Sequence, residues 1–197
     1  AAACVANHSL LTDSLESSST ITLGTGVGIG SIVSGKLVRS REGLHPEVSH
    51  IPLNHEDKTA VCGCGNFGCI EAYLSGMNFS QRLASQLNLD HLSGEEALTK
   101  AEQQDPTTLE AFKDYGIKMA ECIHILCLAY APQKVFITGG FSVSKTFWLD
   151  SCKKHLEHLL KRRRTGVDLL PSIAFPSTSE NAVALGAAQI AFDKLKS

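Results

Sequence analysis

His50-Ile-Pro-Leu-Asn-His-Glu-Asp-Lys-Thr-Ala-Val-Cys-Gly-Cys-Gly-Asn-Phe-Gly-Cys-Ile-Glu71 is the stretch from which the rest of the chain can be read. Cys62, Cys64 and Cys69 fall within eight residues, separated by Gly63, Gly65 and Gly68. Glycine lets a backbone reverse sharply enough for three sulfurs to face one point. Structural zinc takes four N or S ligands in a tetrahedron, and three Cys with one His is a common set. The local spacing supplies three ligands and leaves the fourth to His50 or His55. The blander alternative is a glycine-rich turn with free thiols.

Working outward, Thr20 to Gly35 carries β-branched residues on either side of Gly24, Gly26, Gly28 and Gly30. That pattern predicts a strand, a tight turn and a second strand. No Gly-Lys-Ser/Thr follows, so it is not a Walker A loop, and the glycine spacing does not fit a dinucleotide fingerprint. A turn stripped of side chains lets backbone N–H groups approach a phosphate; equally, it can be a hairpin that only turns the chain. Lys134-Val-Phe-Ile-Thr-Gly139-Gly140 is a short apolar run closed by two glycines, a buried strand and a backbone-exposed turn. Ligands of open α/β sheets bind beyond such strand ends.

The two runs of residues 23–28 and 47–71 together carry a resemblance. Cys62-Gly-Cys-Gly-Asn-Phe-Gly-Cys69-Ile-Glu71, preceded by Glu47-Val-Ser-His50, resembles the signature of the ROK family of sugar kinases and sugar-responsive repressors. The resemblance implies a structural zinc on His50, Cys62, Cys64 and Cys69, and sugar contacts from Glu47, His50 and Glu71. It further implies that Leu23-Gly24-Thr25-Gly26-Val27-Gly28 is an ATP phosphate loop and that Gly139 and Gly140 lie against the adenosine. A β-branched residue at Gly26 is then expected to weaken nucleotide binding much more than sugar binding. Ser49 stands where the family has Gly, and His45-Pro46-Glu47 is similar to fructokinase-like members.

The fold implied is α/β, an actin-like ATPase (ribonuclease H-like) domain, with a mixed sheet, helices on both faces and a zinc-stabilised loop over 45–76. Residues 1–197 then form a C-terminal nucleotide- and sugar-binding domain whose N-terminal lobe is absent. The family's catalytic Asp would sit just before Ala1, so no residue of this chain is assigned as catalytic and little kinase activity is expected of it alone. Asp13, beside a run of serines, reads as a solvated loop acid. The first functional expectation is part of an ATP-dependent hexose kinase, with ATP and Mg2+ and a hexose or N-acetylhexosamine as substrates. The alternative is the non-enzymatic sugar-sensing domain of a ROK repressor. A homodimer in the cytoplasm is expected.

Composition narrows the field in the same direction. A net charge of −2 carries no signal for nucleic acid or membrane surface, and a zinc ribbon would need a second paired-cysteine half that is missing. Seven cysteines, an odd number, fit metal-bound and buried thiols in a reducing compartment better than a disulfide scaffold. No apolar run reaches the roughly 18 residues of a membrane span.

The remaining elements follow from periodicity and caps. Helices are expected over 1–11, 71–89, 95–104 and, longest, from the Asp105-Pro106 cap to Pro132, with Leu109, Phe112, Met119, Ile123, Leu126 and Tyr130 on one face. Cys122 and Cys127 there read as core thiols. A helix over 144–164 should bury Phe147, Trp148, Cys152, Leu156 and Leu159 and end in Lys161-Arg-Arg-Arg164, suited to a helix C-terminus. A short strand over 172–175 precedes a capping box at Ser177–Glu180. The last helix would set Ala184, Gly186 and Ala188 close against the sheet.

Overall fold

A computed structural model describes residues 2–11, 15–161, 168–176 and 182–195. Asp13, Arg162–Arg164 and the expected capping box at Ser177–Glu180 lie outside the described residues. The sheet is built from β1 (Ser18–Leu23), β2 (Val27–Val33), β3 (Lys36–Leu37), β4 (Lys134–Thr138) and β5 (Ser172–Ala174). Their order is β3-β2-β1-β4-β5. β1, β2 and β3 form an antiparallel meander, whereas β4 and β5 run parallel to β1, so the sheet is mixed as expected. The register sets Leu23 opposite Val27 at the tight turn, and Thr22 beside Thr138 on the parallel side.

Side chains alternate across β1, and the two faces differ in kind. Ile21 and Leu23 join Val135 and Ile137 in the main core, under α5 (Pro106–Tyr130) and α6 (Lys145–Leu160). Ser18 and Thr20 face the other way, toward α1 (Ala2–Leu11), where Asn7 Nδ2 donates to Thr20 Oγ1 at 3.4 Å and His8 Nδ1 meets Ser18 Oγ at 2.8 Å. Cys4, Val5 and Ile32 make a small second cluster there. Helices therefore cover both faces.

α5 begins where the Asp105 carboxylate accepts the Thr108 amide at 2.8 Å with Pro106 in the first turn, and it ends on Ala131 in the left-handed region before Pro132. Its crossing with α6 is close because position 116 is Gly: a Cβ there would overlap the Trp148 carbonyl oxygen. Trp148 is fully buried, donates Nε1 to Ser144 Oγ at 2.9 Å and lies 5.6 Å from the Tyr115 ring. Cys122 and Cys127 are buried in this core.

Three expectations need correction. The helix over 71–89 is two helices, α2 (Ile70–Leu74) and α3 (Gly76–Gln86), broken at Ser75, whose backbone is extended and whose hydroxyl caps α3 by accepting the Asn78 amide. The helix expected around 95–104 is present as α4 (Gly94–Glu102), opened by a capping box between Ser93 and Glu96. At the end of α6 it is Leu160, rather than Leu159, that packs against the core. The last helix, α7 (Ala182–Leu195), lies on α1 rather than directly on the sheet: Gly186 is buried against the Ala2 carbonyl, while Ala184 and Ala188 are exposed. No helix among the described residues is long and apolar enough to cross a membrane.

Candidate functional site

Between β3 and α2 the chain makes 3-10 turns at Arg41–Gly43 and Val48–His50 and then the glycine-rich loop. Paired bridges, Pro52 with Cys69 and Val61 with Phe67, fold that loop back on itself. Gly68 makes the sharpest approach, at φ 66° with its Cα so close to Asn54 that any Cβ would overlap the Asn54 carbonyl. The result is a cluster of His50, Cys62, Cys64 and Cys69 whose ligand atoms all lie within 4.8 Å of one another. Cys64 Sγ is 3.8 Å from Cys69 Sγ, and Cys62 Sγ is 3.5 Å from His50 Nδ1. Sulfurs about 2.3 Å from a tetrahedral ion sit about 3.8 Å apart, so the donor set has the size and chemistry of a zinc site. His55 is exposed in the neighbouring turn and outside the cluster, so His50 is the imidazole that lies with the three sulfurs. Burial pushes the Cys62 thiol up to about 12.

With Nδ1 turned to the sulfurs, His50 presents Nε2 on its other side, 3.9 Å from Glu47 Oε2. Glu71, in the first turn of α2, places Oε1 4.0 Å from His50 Nδ1 and 3.6 Å from Cys62 Sγ. Glu47, His50 and Glu71 are thus brought together, with Glu47 the most exposed and His45 Nε2 3.5 Å from its second oxygen. Ser49 is buried within the 3-10 turn, so the non-glycine residue is accommodated there.

Gly24, Thr25 and Gly26 form the β1–β2 turn, closed by Gly24 N–H to Gly26 O at 3.0 Å. The Val27 amide donates to Glu71 Oε2 at 3.0 Å. Among the described residues, the exposed amides of Thr25 and Gly26 donate to no protein acceptor. Gly139, at φ 92°, follows parallel strand β4 and lies back to back with the end of β1, where a Cβ would overlap the Leu23 carbonyl. Both glycine turns therefore leave the same end of the sheet, at the carboxyl ends of β1 and β4. Beside them is a cavity of about 450 Å³ lined by Gly24, Thr25, Gly76, Met77, His91 and Phe141, among others.

Two parts of this arrangement were not expected. Gly76 N–H donates to Gly24 O at 2.9 Å, a bond that the break at Ser75 makes available. A Cβ on Gly26 would stand 2.8 Å from Glu71 Oε2. The first atom that a side chain at Gly26 meets thus belongs to Glu71, one of the residues expected to contact sugar. The Ser75-Gly76 dipeptide was the available signal for the break.

A family model described as ROK family matches residues 2–194. The xylose repressor of Bacillus subtilis is 28% identical over 174 residues, covering 88% of this chain and 43% of the repressor. The N-acetyl-D-glucosamine kinase of Yersinia enterocolitica is 32% identical over 155 residues, covering 73% of this chain and 50% of the kinase. Among solved structures, a ROK hexokinase from Thermus thermophilus superposes with a TM-score of 0.87 at 24% identity, over 99% of this chain and 63% of that one, a likeness of fold. The chain spans about half the length of the curated relatives it matches.

Proposed function

The chain belongs to the ROK family, and on that premise we propose that it is the nucleotide- and sugar-binding part of an ATP-dependent hexose kinase. The observation that carries this reading is the meeting of the Glu47–His50–Glu71 group with a turn whose Thr25 and Gly26 amides are open. Carboxylates accept two hydroxyl hydrogen bonds each and hold a sugar ring against rotation. Open backbone amides beside a cavity at the ends of parallel strands suit the phosphates and base of ATP, brought with Mg2+. Phosphoryl transfer then depends on positioning and charge stabilisation rather than on covalent chemistry by the protein. The proton-accepting base is assigned to none of the described residues.

His50, Cys62, Cys64 and Cys69 would hold zinc as a closed four-ligand site with no position left for substrate. Held there, zinc would stiffen the loop, and with Nδ1 turned to the sulfurs His50 would offer Nε2 to the sugar. A reducing compartment, the cytoplasm, suits the seven free cysteines.

A sugar sensor without chemistry is the second reading, favoured by the share of this chain, 88%, that aligns with a repressor. Calorimetric titration of the chain with Mg2+ and AMP-PNP, and separately with glucose, N-acetylglucosamine and fructose, decides between the two. Binding of nucleotide and of a hexose supports the kinase; binding of sugar with no nucleotide uptake supports the sensor.

A further inference from the structure

Glu71 does more than face a sugar. One carboxylate oxygen, Oε2, accepts the Val27 amide at 3.0 Å, while the other lies toward His50 and Cys62. The turn also runs directly beneath Oε2, since a Cβ on Gly26 would be 2.8 Å away. A second tether joins the same two segments, from Gly76 N–H to Gly24 O at 2.9 Å. Between these anchors the helix break at Ser75 is itself held, by Ser75 N–H to Glu71 O at 3.0 Å and by Asn78 Nδ2 to the same oxygen at 3.2 Å. The Gly24–Val27 turn and the segment that carries the carboxylate are therefore tied at two points.

We propose that Glu71 is a positioning residue for the Gly24–Val27 turn, coupling ligand binding at its carboxylate to phosphate binding at the turn. This inference rests on the reading of those two places as the sugar and phosphate sites. The physical route is short. When the carboxylate swings away from the Val27 amide, the turn is released into several arrangements and its phosphate-facing amides lose their alignment. Sugar hydroxyls donating to Glu71 hold it in one rotamer, so each ligand strengthens the binding of the other. Linkage requires the factor to be the same in both directions.

The test uses the full chain, with Mg2+ and AMP-PNP as the nucleotide probe and glucose or N-acetylglucosamine as the sugar probe, each titrated alone and in the presence of the other. In the wild type, saturating sugar should tighten nucleotide about fivefold or more, within the usual range of coupling between sites. Glu71→Ala should weaken nucleotide severalfold in the absence of sugar and abolish the coupling. Glu71→Gln, whose amide oxygen can still accept from Val27, should restore nucleotide affinity to within about twofold, a rescue that general loosening would not give. Gly26→Ala is the cross-site probe: its methyl displaces only the flexible end of Glu71, so it should lower sugar affinity severalfold from a position in the phosphate turn. In the double variant Gly26→Ala/Glu71→Ala that sugar penalty should vanish. If Glu71→Ala weakens sugar but leaves nucleotide unchanged, the positioning role is overturned and the sugar site stands. If it weakens nucleotide but leaves sugar unchanged, the sugar assignment of Glu71 falls and the coupling with it. Unchanged sugar affinity in Gly26→Ala also overturns the proposal.

Discussion

The Tyr73 phenol donates to Asp57 Oδ2 at 2.7 Å, tying the cysteine-bearing loop to the helix that follows it. The Thr59 hydroxyl and the Tyr73 phenol, with a smaller opposing effect of burial, hold the Asp57 carboxyl below its ordinary value. Burial first, and Asp57 second, raise the phenol, so Tyr73 stays protonated and donating at neutral pH. A carboxyl depressed in the folded state contributes stability that is fully present above its unfolded pKa of about 3.9 and is lost as pH falls through the folded value. Tyr73→Phe should reduce hydrogen-exchange protection of the loop at pH 7. The gap between variant and wild type should close as pH drops below about 4.

The His50–Cys62–Cys64–Cys69 cluster predicts one zinc per chain in protein purified without chelator, read by elemental analysis. Cys69→Ser should lose the metal and open residues 45–76 to limited proteolysis, because a loop assembled around an ion loses its fold with the ion. Cys62 and Cys69 border the same core as Trp148, but none of the four ligands is on α5 or α6, so that crossing should keep its near-ultraviolet signal from Trp148. Protein free of metal with an intact loop would remove the zinc assignment.

Gly139 and Gly140 are neighbours in sequence and unlike in tolerance. A Cβ at Gly139 meets the Leu23 backbone at a φ of 92°, whereas one at Gly140 meets nothing within 4 Å. Gly139→Ala should destabilise the domain by about 1–3 kcal/mol or more, the scale of enforced backbone strain. Gly140→Ala should stay within about 0.5 kcal/mol of wild type, as surface changes generally do. Denaturant melts of the two variants make the comparison.

Ser80 is a buried helical residue whose hydroxyl has no hydrogen-bond partner among the described residues. A buried unpaired hydroxyl costs about 1–3 kcal/mol of desolvation, and Ala is the better helix former. Ser80→Ala should therefore raise the thermal midpoint by a few degrees. A lower midpoint would show that the hydroxyl is satisfied in solution.

Legibility in the sequence tracked distance along the chain. Three cysteines within eight residues, a glycine-spaced turn between β-branched runs and an Asp-Pro cap are short-range signals, and the structure carries each of them. Where two segments meet through space, the signal disappears. Nothing local at Glu71 announces that its carboxylate serves the Val27 amide forty-four positions away. The assignment of His50 over His55 needed a resemblance, because both lie at workable separations from Cys62. The small residues of α7 were read as a seam for the sheet, since residue size shows that something comes close but not what; at Gly186 it is the backbone of α1.

Gly24, Gly76 and Gly94 border the cavity of about 450 Å³ without any side chain of their own, so main chain forms that wall. Sequence drift works on side chains and has no purchase there except by replacing a glycine outright. Met77, Gln81 and His91 border the same cavity with side chains that can be exchanged one at a time. What the cavity accepts can thus be retuned gradually from the side-chain wall, while the glycine wall offers only main-chain atoms to whatever enters.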